Sequence, residues 1–238
     1  MDRYSTPMVL AGGAVAVAMI LVGCGSGSST EAPSSSAGST ESSSSPAAAA
    51  TSTSVAAAGT TTASGANYTV GDYLRDNGLT QTMVKRGDPG APELNLPMPP
   101  GWSDVGKDTP DDAYGAIVLT EAMQSANPPA IVARMARVSG DIDQAKVLEL
   151  APNAVRNQPG FQGPDAGQSA TLAGYEAAVI AGTVDQNGQP VFVARKTVVI
   201  PGQDAIYLLA LDAQGAPDQQ PALMEAMSVI DSETIIEP

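Results

Sequence analysis

Tyr175-Glu176-Ala177-Ala178-Val179-Ile180-Ala181-Gly182-Thr183-Val184, then Asp185-Gln186-Asn187-Gly188-Gln189, then Pro190-Val191-Phe192-Val193-Ala194-Arg195-Lys196-Thr197-Val198-Val199-Ile200, is the stretch that decides the fold. Both flanks are runs of β-branched and small apolar residues. Between them Asn187-Gly188 supplies two residues that readily take positive φ angles, the requirement of a type I′ turn, whose twist matches that of the strands it joins. The stretch therefore reads as a long β-hairpin. A second turn at Pro201-Gly202-Gln203-Asp204 leads into Ala205 to Leu211, another run of strand formers, so three strands are expected to form an antiparallel meander.

Working upstream, Tyr114 to Thr120 and Ala130 to Val138 are nearly continuous in apolar residues and are separated by a loop holding Asn127-Pro128-Pro129. Such runs fit central strands covered on both faces. Leu79 to Lys85 and Glu93 to Leu96 read as shorter extended pieces either side of a turn from Arg86 to Pro92. Pro97-Met98-Pro99-Pro100-Gly101 stops the second and delivers Trp102 at a strand end. Three helices complete the pattern. Thr69 to Gly78 has a capping threonine, Asp72 in its first turn, a terminating glycine, and Val70, Tyr73 and Leu74 on its apolar side. Asp141 opens a second, in which Ile142, Ala145, Leu148 (with Val147) and Ala151 recur at helical spacing until Pro152 kinks or ends it. Pro217 to Ile230 closes the chain, with Leu223, Met224, Met227 and Ile230 as one stripe. Grouped strands with a few helices make an α+β domain, a mainly antiparallel sheet with helices packed on it.

Several motifs in this order resemble the LpqN/LpqT-type lipoprotein family of mycobacteria. They are Lys85-Arg86-Gly87-Asp88-Pro89-Gly90-Ala91-Pro92, Leu96-Pro97, Pro100-Gly101-Trp102 and Tyr114-Gly115-Ala116-Ile117-Val118, followed by the Asn-Gly hairpin and Lys196-Thr197-Val198-Val199-Ile200-Pro201-Gly202. The resemblance spans nearly all of the domain. It implies a PsbP-like α/β/α sandwich and a place in the cell envelope of an actinobacterium, and it brings no established catalytic residues with it.

The N-terminal part has a separate logic. Met8 to Val22 is apolar but short for a membrane span, and it runs into Leu21-Val22-Gly23-Cys24, which reads as a lipobox containing the single cysteine of the 238-residue chain. Residues 1–23 are accordingly expected to be a lipoprotein signal peptide, cut between Gly23 and Cys24. Cys24 would then carry diacylglyceryl on its sulfur and an acyl chain such as palmitate on its amine, anchoring the protein to the outer face of the cell membrane. Residues 24–66 are almost entirely Ser, Thr, Ala, Gly and Pro, with Glu31 and Glu41 as the only charges. They lack the apolar surface to fold, so they read as a disordered tether with a reach of roughly 35 Å. Residues 67–238 are left as one globular domain. One cysteine allows no internal disulfide, so this domain must hold together by its core.

Charge narrows the partners. Of the formal −14, the domain carries −12, from 22 acidic and 10 basic side chains. A surface of that sign repels phosphate backbones and anionic lipid heads, which argues against nucleic acid and leaves membrane contact to the lipid.

The chain contains no histidine, which removes Ser-His-Asp and Cys-His arrangements and imidazole-based metal sites. No cofactor and no metal site is expected. An enzyme would need carboxylates or a Ser/Lys pair. Asp111-Asp112 and Asp141 with Asp143 are the nearest carboxylate clusters, and each reads better as a cap at the start of an element. Arg86-Gly87-Asp88 spells an adhesion tripeptide but sits where a tight turn is required. Arg134 and Arg137 fall on opposite sides of an apolar strand, so at least one is expected to need an acid partner. Trp102 suits either core packing or a sugar-stacking site; the core is the preferred reading. Trp102, Arg134 and Arg137 are the candidate contacts with a ligand or partner. The expected function is a monomeric, non-catalytic, membrane-anchored module that binds an envelope glycolipid, a sugar or an envelope protein. An envelope hydrolase using carboxylates or Ser/Lys, and a surface factor binding a host protein, are the alternatives.

Overall fold

The structure is a computed structural model that describes residues 67–125 and 127–237. The expected signal segment and tether, with Gly23 and Cys24, lie outside the described residues. In chain order the strands are β1 (Thr80–Val84), β2 (Glu93–Asn95), β3 (Trp102–Asp104), β4 (Gly115–Leu119), β5 (Ala130–Ser139), β6 (Gln168–Leu172), β7 (Tyr175–Gln186), β8 (Gln189–Pro201), β9 (Ile206–Gly215) and β10 (Ile235–Glu237). The helices are α1 (Val70–Asp76), α2 (Gln144–Leu150), α3 (Asn153–Arg156) and α4 (Gln220–Glu233).

The deciding hairpin forms as read. Gln186 pairs with Gln189 around Asn187 and Gly188, whose φ angles of 57° and 78° are those of the primed turn. The meander continues through β9, and the main sheet runs β3-β4-β5-β9-β8-β7-β6, antiparallel throughout. β5 is central. β9 pairs along one edge of it, while β4 and β1 share the other, β4 on Ala130–Ala133 and β1 on Met135–Ser139. β2 and β10 make a separate two-stranded piece.

Each face of the sheet buries its own cluster. On one, Leu223, Ala226, Met227 and Ile230 of α4 pack on Met135, Leu209, Leu211 and Val198, with Leu94 and Ile236 of the small sheet beside them. On the other, Tyr73 and Leu74 of α1 and Val147 and Leu150 of α2 pack on Val138, Val199, Ile206 and Leu208. Val155 of α3 covers Ile180, Val184 and Val193 on that same face. The result is an α+β domain of three layers, α/β/α.

Several expectations shift. Met224 is 46% exposed, and Ala226 takes its place on the buried stripe, because positions 223, 226, 227 and 230 point one way on a regular helix. In α2 the buried side is Val147, Leu150 and Ala151, while Ala145 is exposed and Leu148 half-buried. Asp143 rather than Asp141 is the cap, its carboxylate accepting from the Lys146 amide at 3.1 Å. Trp102 begins β3 instead of ending a strand. β4 is one strand from the edge and alternates half-buried with buried residues, so the expectation that it is covered on both faces does not hold. Strands β6 and β10 were not expected.

Candidate functional site

A groove of about 970 Å³ lies between α2–α3 and the β6–β7 end of the sheet. Leu148, Leu150, Pro152 and Ala178 give it apolar surface. Glu149, Arg156, Gln168, Ser169, Thr171 and Glu176 give it polar groups. The walls meet where Gly167 lies on Pro152; a Cβ at 167 would come 2.3 Å from the proline Cγ, so only glycine lets the helix pair and the sheet edge converge there. Glu149 takes both its bonds from Lys146 Nζ at 3.0 Å, and Arg156 donates to Asn153 Oδ1 at 3.0 Å. Asn153 and Asn157 clip the entry of the chain, donating to the carbonyls of Tyr68 (2.8 Å) and Asn67 (2.9 Å).

A smaller groove, about 470 Å³, lies between α4 and the segments 99–102 and 119–121. Trp102 forms part of its wall yet is only 7% exposed and belongs to the main cluster. The core reading of the ring therefore holds, with one edge toward a groove.

Arg134 and Arg137 do occupy opposite faces. Arg134, 12% exposed, donates from Nε to Asp112 at 2.8 Å and from Nη1 to Asp212 at 3.1 Å; Asp212 is also held by Arg195 through two nitrogens. Two guanidiniums and two carboxylates neutralise one another on the face that carries α1–α3, tying β5, β8 and β9 to the turn before β4. Asp112 is thus an ion-pair partner and caps no helix, a correction to the capping reading. Arg137 is exposed on the α4 face, opposite Tyr207 and Thr82 in the pairing register. The structure does not bring Trp102, Arg134 and Arg137 together.

Sequence reasoning passed over Lys196. It is 4% exposed, and its Nζ bonds Asp231 of α4 and, more distantly at 3.4 Å, the carbonyl of Thr171. A lone lysine in an apolar strand gives no sign of such a partner, since Asp231 is 35 positions away. The Arg-Gly-Asp tripeptide is folded into its turn: the Arg86 guanidinium lies 5.7 Å from the centre of the Tyr114 ring, Gly87 has φ 86°, and the Asp88 carboxylate accepts from the Lys85 amide at 2.8 Å. Among the described residues no lysine amine bonds a serine hydroxyl, and no group of three or more acidic or cysteine side chains gathers as a metal site.

Fold and groove together define a class, an α/β/α domain built on one main antiparallel sheet with an open groove at its end. Residues 66–237 match the family model Lpp-LpqN, described as "Probable lipoprotein LpqN", and the chain belongs to that family. It is 45% identical to lipoprotein LpqN of Mycobacterium tuberculosis over 176 residues, which cover 74% of this chain and 77% of that one. It is also similar to a crystal structure described as LpqN involved in cell envelope biogenesis of M. tuberculosis, with a TM-score of 0.69 and 45% identity, covering 73% of this chain and all of that one. A more distant relative is the proline-rich 28 kDa antigen of M. tuberculosis, 26% identical over 153 residues, 63% of this chain and 48% of the antigen.

Proposed function

We propose that this chain is a cell-envelope lipoprotein anchored to the outer face of the membrane through Cys24, and that its domain is a non-catalytic module binding an envelope glycolipid, a sugar or an envelope protein in the groove between α2–α3 and β6–β7. The groove carries the reading. It is open, mixes apolar wall with polar groups, and is of the size that recognition sites occupy. Two of its three charged groups are spent on structure, Glu149 on Lys146 and Arg156 on Asn153, and the third, Glu176, stands without a second carboxylate or a base beside it, which favours holding a molecule over transforming one. The family's lipoprotein description and the lipobox support the anchor; the relative's part in envelope biogenesis supports the location.

The test is mass spectrometry of molecules that co-purify with the full chain from its native envelope, beside a Ser169→Trp variant that fills the groove. A bound envelope molecule lost in the variant is the expected result; turnover of an envelope substrate by the purified protein would overturn the non-catalytic reading. For the anchor, Cys24→Ala should abolish labelling by radioactive fatty acid and release the protein from the membrane fraction, and undiminished labelling would remove the lipid assignment.

A further inference from the structure

We propose that β6 is a docking edge: an extended peptide segment of another polypeptide, carrying a basic residue, lies in the groove and adds to the sheet as a strand beside Gln168–Leu172. This rests on the groove reading above and names the kind of partner it fits.

The backbone comes first. β6 ends the sheet order, and among the described residues no strand lies beyond it. Its link to β7 is the two-residue turn Ala173-Gly174, with Leu172 paired to Tyr175. In such a hairpin the residues flanking the turn exchange hydrogen bonds and the pattern alternates from there. Leu172, Ala170 and Gln168 therefore bond β7, while Ser169 and Thr171 point their N–H and C=O groups outward. The Thr171 carbonyl has only the 3.4 Å contact from Lys196; two amides and the Ser169 carbonyl are left along the edge.

Proteins usually blunt such an edge with lysine, proline, a bulge or extreme shortness. At the other end of the sheet β3 is blunted by being three residues long. β6 carries no charge and no proline, and its register with Tyr175–Val179 is unbroken over five residues. β1 is a second uncharged edge, but neither groove borders it. Beside β6 the groove-side face carries the small side chains of Ser169, Thr171 and Ala178, with Glu176, opposite Thr171, as the one long side chain, so a neighbouring strand has room for its own. The opposite wall, Leu148 to Arg156, would cover one face of that strand.

Charge chooses the side chain. Glu176 lies on the groove face and has no ion-pair partner among the described residues, and the wall across from it carries Glu149. A lysine or arginine on the incoming strand, opposite Thr171, reaches over that threonine to Glu176. The edge supplies affinity through backbone bonds, and the groove supplies selectivity.

The probe is a library of random twelve-residue peptides displayed on phage and selected on the full chain held in detergent. Enriched peptides should share an alternating, proline-free core with one lysine or arginine. Binding of synthetic copies should fall at least tenfold in Ser169→Pro, which removes an outward N–H and no bond to β7, and stay within twofold in Ser169→Ala; circular dichroism checks that both fold. N-methylation of the peptide should abolish binding at every second position only, and Glu176→Gln should weaken it severalfold with a shallower salt dependence. Absence of a common sequence, undiminished binding to Ser169→Pro, or N-methyl sensitivity without that alternation would overturn strand addition. If an envelope molecule still co-purifies in a manner sensitive to Ser169→Trp, the groove reading survives alone; if none does, both fall.

Discussion

Trp102 shows how much a single ring can hold in a domain with few aromatics. It opens β3 opposite Leu119, is 7% exposed, and shares its cluster with Ala226 and Met227 of α4. Trp102→Ala is expected to lower stability by roughly 3–5 kcal/mol in chemical denaturation, as large aromatic truncations in cores do. A variant with the parent's melting point would place the ring's role in the smaller groove instead. Asp72 acts at the other end of the scale of size. The Thr69 hydroxyl and amide donate to its carboxylate, with Arg75 behind them, and hold it at about 2 against an ordinary 3.8. A carboxyl depressed in the folded state stabilises it fully above the unfolded value and loses that contribution as pH falls through the folded one. Asp72→Ala should therefore cost about 1 kcal/mol at neutral pH, the usual worth of a cap. Melting curves of parent and variant should converge between about pH 4 and pH 2, and a gap that stays constant across that range would refute the linkage.

Among the elements, the β6–β7 hairpin is the one that sequence patterns hide. Gln168-Ser169-Ala170-Thr171-Leu172 is small and polar, with no run of β-branched residues, and Ala173-Gly174 is a poor advertisement for a primed turn because Ala173 must sit at φ 49°. An L-residue with a Cβ pays about 1 kcal/mol or more for that region, and asparagine tolerates it better. Ala173→Asn is expected to raise stability by about 0.5–1 kcal/mol, read as a higher midpoint in urea; a lower midpoint would mean that the turn is not of this type. The neighbouring hairpin was legible for the converse reason, since Asn187-Gly188 takes the same angles at much lower cost and lies between two apolar runs. In α2 the element itself was legible and its orientation was not. Val147 and Leu148 are adjacent and equally apolar, and which faces the sheet depends on how Pro152 and Gly167 seat the helix.

At the scale of the whole molecule, the three clusters buried among the described residues run from Tyr68 to Ile236 and cover both faces of the sheet. A chain cut to Asn67–Pro238 is therefore expected to fold cooperatively as a soluble monomer, checked by circular dichroism, thermal melting and sedimentation; a molten or aggregated product would mean that the preceding residues complete the fold. The sequence by itself determined the antiparallel meander, the long central strand, the capped first helix and the α+β class. Each of these rests on local rules, turn dihedrals, period-two or period-three-to-four apolar spacing and caps, that neighbours in the chain can satisfy. Only the tertiary structure decided that Arg134 meets Asp112 and Asp212, that Lys196 is neutralised by Asp231, and that β6 closes the sheet as an open edge beside a groove. The ion pairs among them join residues 22 to 78 positions apart, and charges or small residues leave no periodic trace of the partner they will meet once the layers pack.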